Sequence, residues 1–164
     1  MKNLILFAII LISAHCSAQT YLIKVVEQPK PIDLLLPATS VFIGGLADGI
    51  NATLLFRYAN FQEKHPNANP DFWNPDISWK RKYKDWDNGD KRARFPLSKG
   101  PLVGLTDGQH MTRGFARWGN LIGFSYRGAS LGKGRKWYVY VINGAALYTI
   151  NRIGFELSYN VIYK

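Results

Sequence analysis

The chain has little sulfur and, over its last third, almost no acid. Cys16 is its one cysteine, and a cut after Ala18 would leave a mature chain with neither disulfide nor thiolate chemistry. From Gly108 to Phe155 there is no Asp or Glu, while Arg113, Arg117, Arg127, Lys133, Arg135, Lys136 and Arg152 all fall in that stretch. Missing too are H-E-x-x-H, E-x-x-H, G-x-S-x-G and a glycine-rich phosphate loop, so the sequence offers none of those routes to hydrolysis or nucleotide binding. The apolar run Leu4 to Ile12 is short of the roughly 20 residues that cross a bilayer comfortably.

That run has another meaning. Met1-Lys2-Asn3, the run itself and the small residues Ser17 and Ala18 before Gln19 have the three parts of a secretory signal peptide, expected over 1–18. Lipidation at Cys16 is disfavoured, because bulky His15 stands where a small residue is needed. About 146 residues then remain, the size of one domain. The formal charge of the whole chain is +10, and residues 80–99 carry Lys80, Arg81, Lys82, Lys84, Lys91, Arg92, Arg94 and Lys99 against Asp85, Asp87 and Asp90. Such asymmetry calls for an anionic neighbour. Export makes that neighbour anionic membrane lipid rather than nucleic acid, with an envelope protein or a second copy of the chain as further partners.

Along the chain, Pro29 and Pro31 argue for an extended segment over 19–36. A single helical domain is expected over 37–164. Its first helix, about 40–63, repeats Phe42, Leu46, Ile50, Leu54, Tyr58 and Phe61 every three or four residues and holds a small-xxx-small step at Gly45 and Gly49. Asn74-Pro75-Asp76 opens a short basic helix that Asp87-Asn88-Gly89 closes. On it Trp79, Tyr83 and Trp86 form a stripe among Lys80, Arg81, Lys82 and Lys84, a pattern suited to a membrane interface and also to a surface helix packed on its domain. Thr106-Asp107-Gly108 caps a second long helix bearing Met111, Phe115, Trp118, Ile122 and Tyr126, with a second small-xxx-small step at Gly119 and Gly123. A third runs from Lys136 past Val141, Gly144, Tyr148 and Phe155 to Tyr159.

The expected fold is therefore all-α, a small membrane-associated bundle of three long helices plus one short amphipathic helix. The alternative is an outer-membrane β-barrel, because residues 152–163 also alternate apolar with polar. Residues 62–106 cannot supply their share of the strands of nine to eleven residues that a barrel requires. The third helix is long enough to span. Asp48 and Arg57 on the first and Arg113 and Arg117 on the second would each cost about 2.5 to 3.5 kcal/mol near a membrane centre unless paired or turned inward.

Phe72-Trp73-Asn74-Pro75, Ser78-Trp79 with Lys82-Tyr83-Lys84, and Thr106-Asp107-Gly108 with His110 resemble motifs of a set of small, uncharacterised bacterial membrane proteins. The resemblance covers about Gly44 to Tyr163, implies a helical fold and brings no chemistry with it.

Candidate chemistry rests on Asp48, Asp107 and His110, with Glu156 as a fourth polar group on helical apolar surface. Such O and N ligands converging between helices would suit a divalent metal that activates water, the basis of a membrane-bound metal-dependent hydrolase. Ordinary roles compete: Asp107 as an N-cap, His110 bonded to a carboxylate, Asp48 paired with Arg113 or Arg117, Glu156 paired with Arg152. The leading expectation is a non-enzymatic, exported cell-envelope protein, embedded in or lying on a membrane, with no cofactor required.

Overall fold

The computed structural model describes residues 30–164, and the expected signal peptide at 1–18 lies outside them. The described residues divide into Lys30 to Leu34, which belong to one unit, and a second compact unit, Leu35–Lys164. The second is a bundle of three long helices with a cap at one end.

Helix α1 is Pro31–Phe56, longer at its start than the prolines suggested. Pro31 is its first residue, where no N–H is needed and φ is already helical, so the extended reading of 31–36 does not hold. Arg57, at φ −143°, then breaks the helix expected to run on to 63, and α2, Tyr58–Lys64, follows in a new direction. Helix α5 is Gly108–Leu131 and α6 is Trp137–Glu156, continued by a π-helical segment at Leu157–Ile162. Residues 152–162 are thus helical, and the barrel alternative fails where it was strongest.

Between α2 and α5 lie two one-turn helices, α3 (Pro70–Trp73) and α4 (Pro75–Ser78), a 3-10 turn at Trp79–Lys82 and a hairpin. Strands β1 (Tyr83–Asp85) and β2 (Asp90–Ala93) pair antiparallel, with Tyr83 opposite Ala93 and Asp85 opposite Asp90. The expected basic helix is therefore corrected. Its start is as read, since Asn74 Oδ1 accepts from Asp76 N at 3.0 Å, but the helix is lost after Ser78. Asp85 accepts from Asn88 N at 3.2 Å and Gly89 adopts φ +81°, so the sequence that resembled a helix stop is the turn of a hairpin.

The three long helices run up, down and up. Residues 41–51 of α1 meet residues 123–109 of α5 in reverse order, whereas Val41, Leu46 and Arg57 meet Asn151, Ser158 and Tyr159 in the same order. Small residues set the spacing. A Cβ on Gly119 would stand 2.6 Å from Ser40 O, and one on Gly45 or Gly154 would overlap the facing backbone of α6 or α1. Each contact is backbone against backbone.

Beside Val41, Leu54 and Leu147, much of what fills the interior is small or polar, and much of what faces outward is large and apolar. Gly44, Gly49, Asn51, Thr53, Thr112, Ala116, Gly123, Gly154 and Ser158 are buried. Phe115, Trp118, Leu121, Ile122, Trp137, Val141, Tyr148 and Ile153 are exposed, Trp118 by 63% and Trp137 by 75%. A water-soluble amphipathic bundle has the opposite arrangement. The larger apolar cluster lies at the cap end, where Leu54, Phe61 and Tyr163 pack with Ile50, Tyr58 and Trp73.

Candidate functional site

Because the outer face is apolar, the interior polar groups must hold the helices together. Asn151 Nδ2 of α6 donates to Val41 O of α1 at 3.0 Å and to Asn120 Oδ1 of α5 at 2.9 Å, joining all three helices at one level. Toward the cap, Asn51 Nδ2 donates to Gln109 O at 2.8 Å and Thr112 Oγ1 at 3.1 Å, and Ser158 Oγ donates to Leu46 O at 3.0 Å. At the far end Arg127 Nε donates to Asn143 Oδ1 at 2.8 Å. Interhelical bonds of this kind contribute about 0.6 to 2 kcal/mol each where lipid surrounds a bundle. These asparagines were missed as a set. Their signal was position, since Asn51 lies two turns past Gly44, Asn120 follows Gly119 and Asn151 precedes Gly154 by three residues.

The outer surface is the first candidate site. Phe115, Trp118 and Ile122, read as one stripe, do share a face, and that face points out while Thr112, Ala116 and Gly123 point in. The expected stripe was legible and its direction was not. Among the described residues one helix, Pro31–Phe56, is long and apolar enough to cross a membrane by length and composition.

The expected interface residues Trp79, Tyr83 and Trp86 come together on the 3-10 turn and hairpin. Ring centroids are 4.7 Å apart for Trp79 with Trp86 and for Tyr83 with Trp86. Lys91 lies 4.7 Å from the Trp86 centroid, while Lys82 and Lys99 each lie 5.3 Å from that of Tyr83. Desolvated cation–π contacts of this type contribute more than exposed ones, about 0.5 to 2 kcal/mol across that range. Lys80 pairs with Asp87 at 2.7 Å and Arg81 with Asp71 at 3.6 Å, while Lys84 is exposed. Asp90 accepts from Arg92 Nε at 2.8 Å and Nη2 at 2.7 Å, and these bonds hold its carboxyl far below the usual carboxylate range. The rings thus form a small core under a cationic skin.

The polar cluster is not assembled as a three-residue centre. Asp107 is fully buried, accepts from His110 N at 2.8 Å as the N-cap of α5, and places its two oxygens 2.8 and 2.9 Å from His110 Nδ1. A carboxylate there requires Nδ1 to carry a proton and donate it. Asp48 does not join them. The Gly45 and Gly49 step that flanks it turns toward α6 rather than α5, and Asp48 itself is exposed. Neither Arg113 nor Arg117 forms an ion pair with Asp48; the ion pairs among the described residues use other acids. Glu156 accepts from Arg152 Nη2 at 2.8 Å and from Asn160. Among the described residues no three of His, Cys, Asp and Glu come within reach of one metal ion.

Two of the sequence motifs meet. The Trp73 ring of Phe72-Trp73-Asn74-Pro75 rests on the backbone of Gly108 in Thr106-Asp107-Gly108, where a Cβ would overlap it. Trp73 also packs at a tilt against Phe61, whose ring lies 5.7 Å from that of Tyr163. Tyr163 OH in turn lies 2.9 Å from His65 Nε2. Burial pushes the Tyr163 phenol up from its ordinary value, and that of Tyr58 likewise. Beside this aromatic corner a groove of about 760 Å³ opens between α1, α5 and the cap.

Against known protein families, curated proteins and solved structures the chain has no match.

Proposed function

We propose that this chain is a non-enzymatic helical membrane protein of the bacterial cell envelope, its bundle surrounded by lipid and its 57–107 cap at the water interface. The observation that carries the reading is the inverted distribution of side chains. Glycine, asparagine, threonine and serine meet between the helices, while Trp118, Leu121, Ile122, Val141 and Ile153 face outward. In water, so large an apolar surface is stabilising only when a partner covers it. In lipid it carries no penalty, and close backbone approach plus polar side-chain bonds become what holds helices together.

Lengths agree with this. At 1.5 Å per residue, α1, α5 and α6 with its π extension each extend beyond 30 Å, about the thickness of a hydrocarbon core. The arginines on α5 and the exposed Asp48 of α1, which makes no ion pair among the described residues, are the cost. Arg113 stands near the start of α5 beside the cap, from where a long side chain reaches the interface, and Arg117 is one turn deeper. The basic cap suits acidic lipid headgroups, each lysine near such a surface contributing about 1 kcal/mol. The signal-like leader fits an exported protein.

Alkaline carbonate extraction of membranes from cells expressing the full chain tests this reading. Retention in the pellet, with release by a mild detergent, is expected. Recovery in the carbonate supernatant, or in the soluble fraction before extraction, overturns it.

A further inference from the structure

We infer that the groove between α1, α5 and the cap binds one acidic phospholipid from the surrounding bilayer; this rests on the membrane reading above. Three features of the groove point to that occupant. Its volume, about 760 Å³, lies within the usual range for a ligand site. Its polarity changes in one direction. The bundle end is walled by Ile43 and Ile50 of α1 with Met111 and Phe115 of α5, and the cap end holds Lys64 and His65. Ile43 to Ile50 is about 10 Å of helix, a straight apolar track that ends in a cationic corner. A phospholipid in one leaflet has the same gradient in the same sense, with its acyl chain toward the bundle middle and its headgroup beside the cap.

Charge decides the class of headgroup. Among the described residues Lys64 makes no ion pair, so its ammonium is open to a phosphate oxygen at the mouth. His65 is fixed beside it by Tyr163 OH at 2.9 Å, and Phe61 packs at a tilt against the imidazole with centroids 4.9 Å apart. This corner is therefore held in place before a ligand arrives. A neutral phosphocholine head would bring its own cation to Lys64 and lose that attraction.

Native mass spectrometry of the full chain in a neutral detergent, with phosphatidylglycerol or phosphatidylcholine added, tests the inference. One bound phosphatidylglycerol is expected per chain, held about fivefold more tightly than phosphatidylcholine, the effect of one lysine near an anionic head. Lys64→Glu should remove that preference with the circular dichroism unchanged. Ile43→Trp, which narrows the bundle end of the groove from an already half-exposed position, should weaken both lipids. Equal binding of the two lipids, an unchanged preference in Lys64→Glu, or a dimer that excludes lipid from the groove overturns the proposal. A chain that resists carbonate yet prefers no lipid refutes this inference alone, whereas a carbonate-soluble chain refutes the membrane reading beneath it.

Discussion

Asn151 of α6 donates to Asn120 of α5 at 2.9 Å while the same amide holds Val41 O of α1 at 3.0 Å, so a single side chain fixes the register of all three long helices. Replacing Asn120 with leucine should cost about 1 kcal/mol, since Asn151 retains Val41 O; replacing Asn151 should cost more, because both bonds go. A double-mutant cycle, followed by unfolding in a detergent mixture, should give a coupling of about 0.5 to 2 kcal/mol between the two asparagines. Strict additivity would place them apart in the folded protein.

Two glycines of one helix should respond oppositely. Gly154 faces Phe42 O and the Leu46 amide of α1 with no room for a Cβ, whereas Gly144, also in α6, has open space around it. Gly154→Ala should destabilise the bundle by roughly 1 to 3 kcal/mol through forced separation of two backbones. Gly144→Ala should stabilise it by up to about 1 kcal/mol through helix propensity alone. Unfolding curves of the two variants are the check, and equal effects would mean that α1 and α6 do not pack through these residues.

Asp107 carries a testable structural role. Asp107→Ala should cost about 1 to 2 kcal/mol as a lost N-cap, and Asp107→Asn, which keeps an acceptor for the His110 amide, should cost less. Chelator should leave the melting temperature of wild type and of Asp48→Asn unchanged, because Asp48 lies exposed and away from the Asp107 and His110 pair. A fall in melting temperature on chelation would show a metal bridging residues that stand apart here.

High pH should loosen the cap end. Burial raises the phenol pKa of Tyr58 and Tyr163, so the folded protein holds those protons beyond the unfolded value near 10. The stability they contribute is complete below pH ~10 and is lost as pH rises through the folded-state values. Spectrophotometric titration of phenolate should show a late component that shrinks by one equivalent in Tyr163→Phe and again when Tyr58→Phe is added. A curve that neither change alters would contradict the burial of these rings.

How far the sequence reached depends on which physical signal each element carried. Helices α5 and α6 follow from 3.6-residue periodicity and from the Thr106-Asp107-Gly108 cap, both local, and both are where they were expected. The 79–87 segment was misread because Trp79, Tyr83 and Trp86 gather equally well along a helical turn and across a hairpin, and the pairing of Lys82 with Arg94 that decides between them is nonlocal. Pro29 and Pro31 argued for an extended chain up to 36, yet Pro31 opens α1 and Pro37 is buried within it. For the candidate site, the Asp107 and His110 pair was readable from its spacing of three. Asp48 was misplaced because two adjacent glycine faces, Gly44 toward α5 and Gly45 toward α6, point in directions that spacing alone does not separate. Which way the Phe115, Trp118 and Ile122 face turns depends on the solvent around the bundle, and periodicity carries no sign for that.

The most direct measurement is spin-label accessibility in bilayers. Single cysteines would be placed at Trp118, Leu121, Val141 and Ile153 on the bundle and at Asp87 and Lys99 on the cap, in a chain whose Cys16 is replaced by serine. Labels at the four bundle positions should favour collision with oxygen, which concentrates in lipid, and those at the two cap positions should favour a water-soluble nickel complex. Water-dominated accessibility at Trp118, Leu121, Val141 and Ile153 alike would contradict a lipid-facing exterior and leave that apolar surface to be covered by protein.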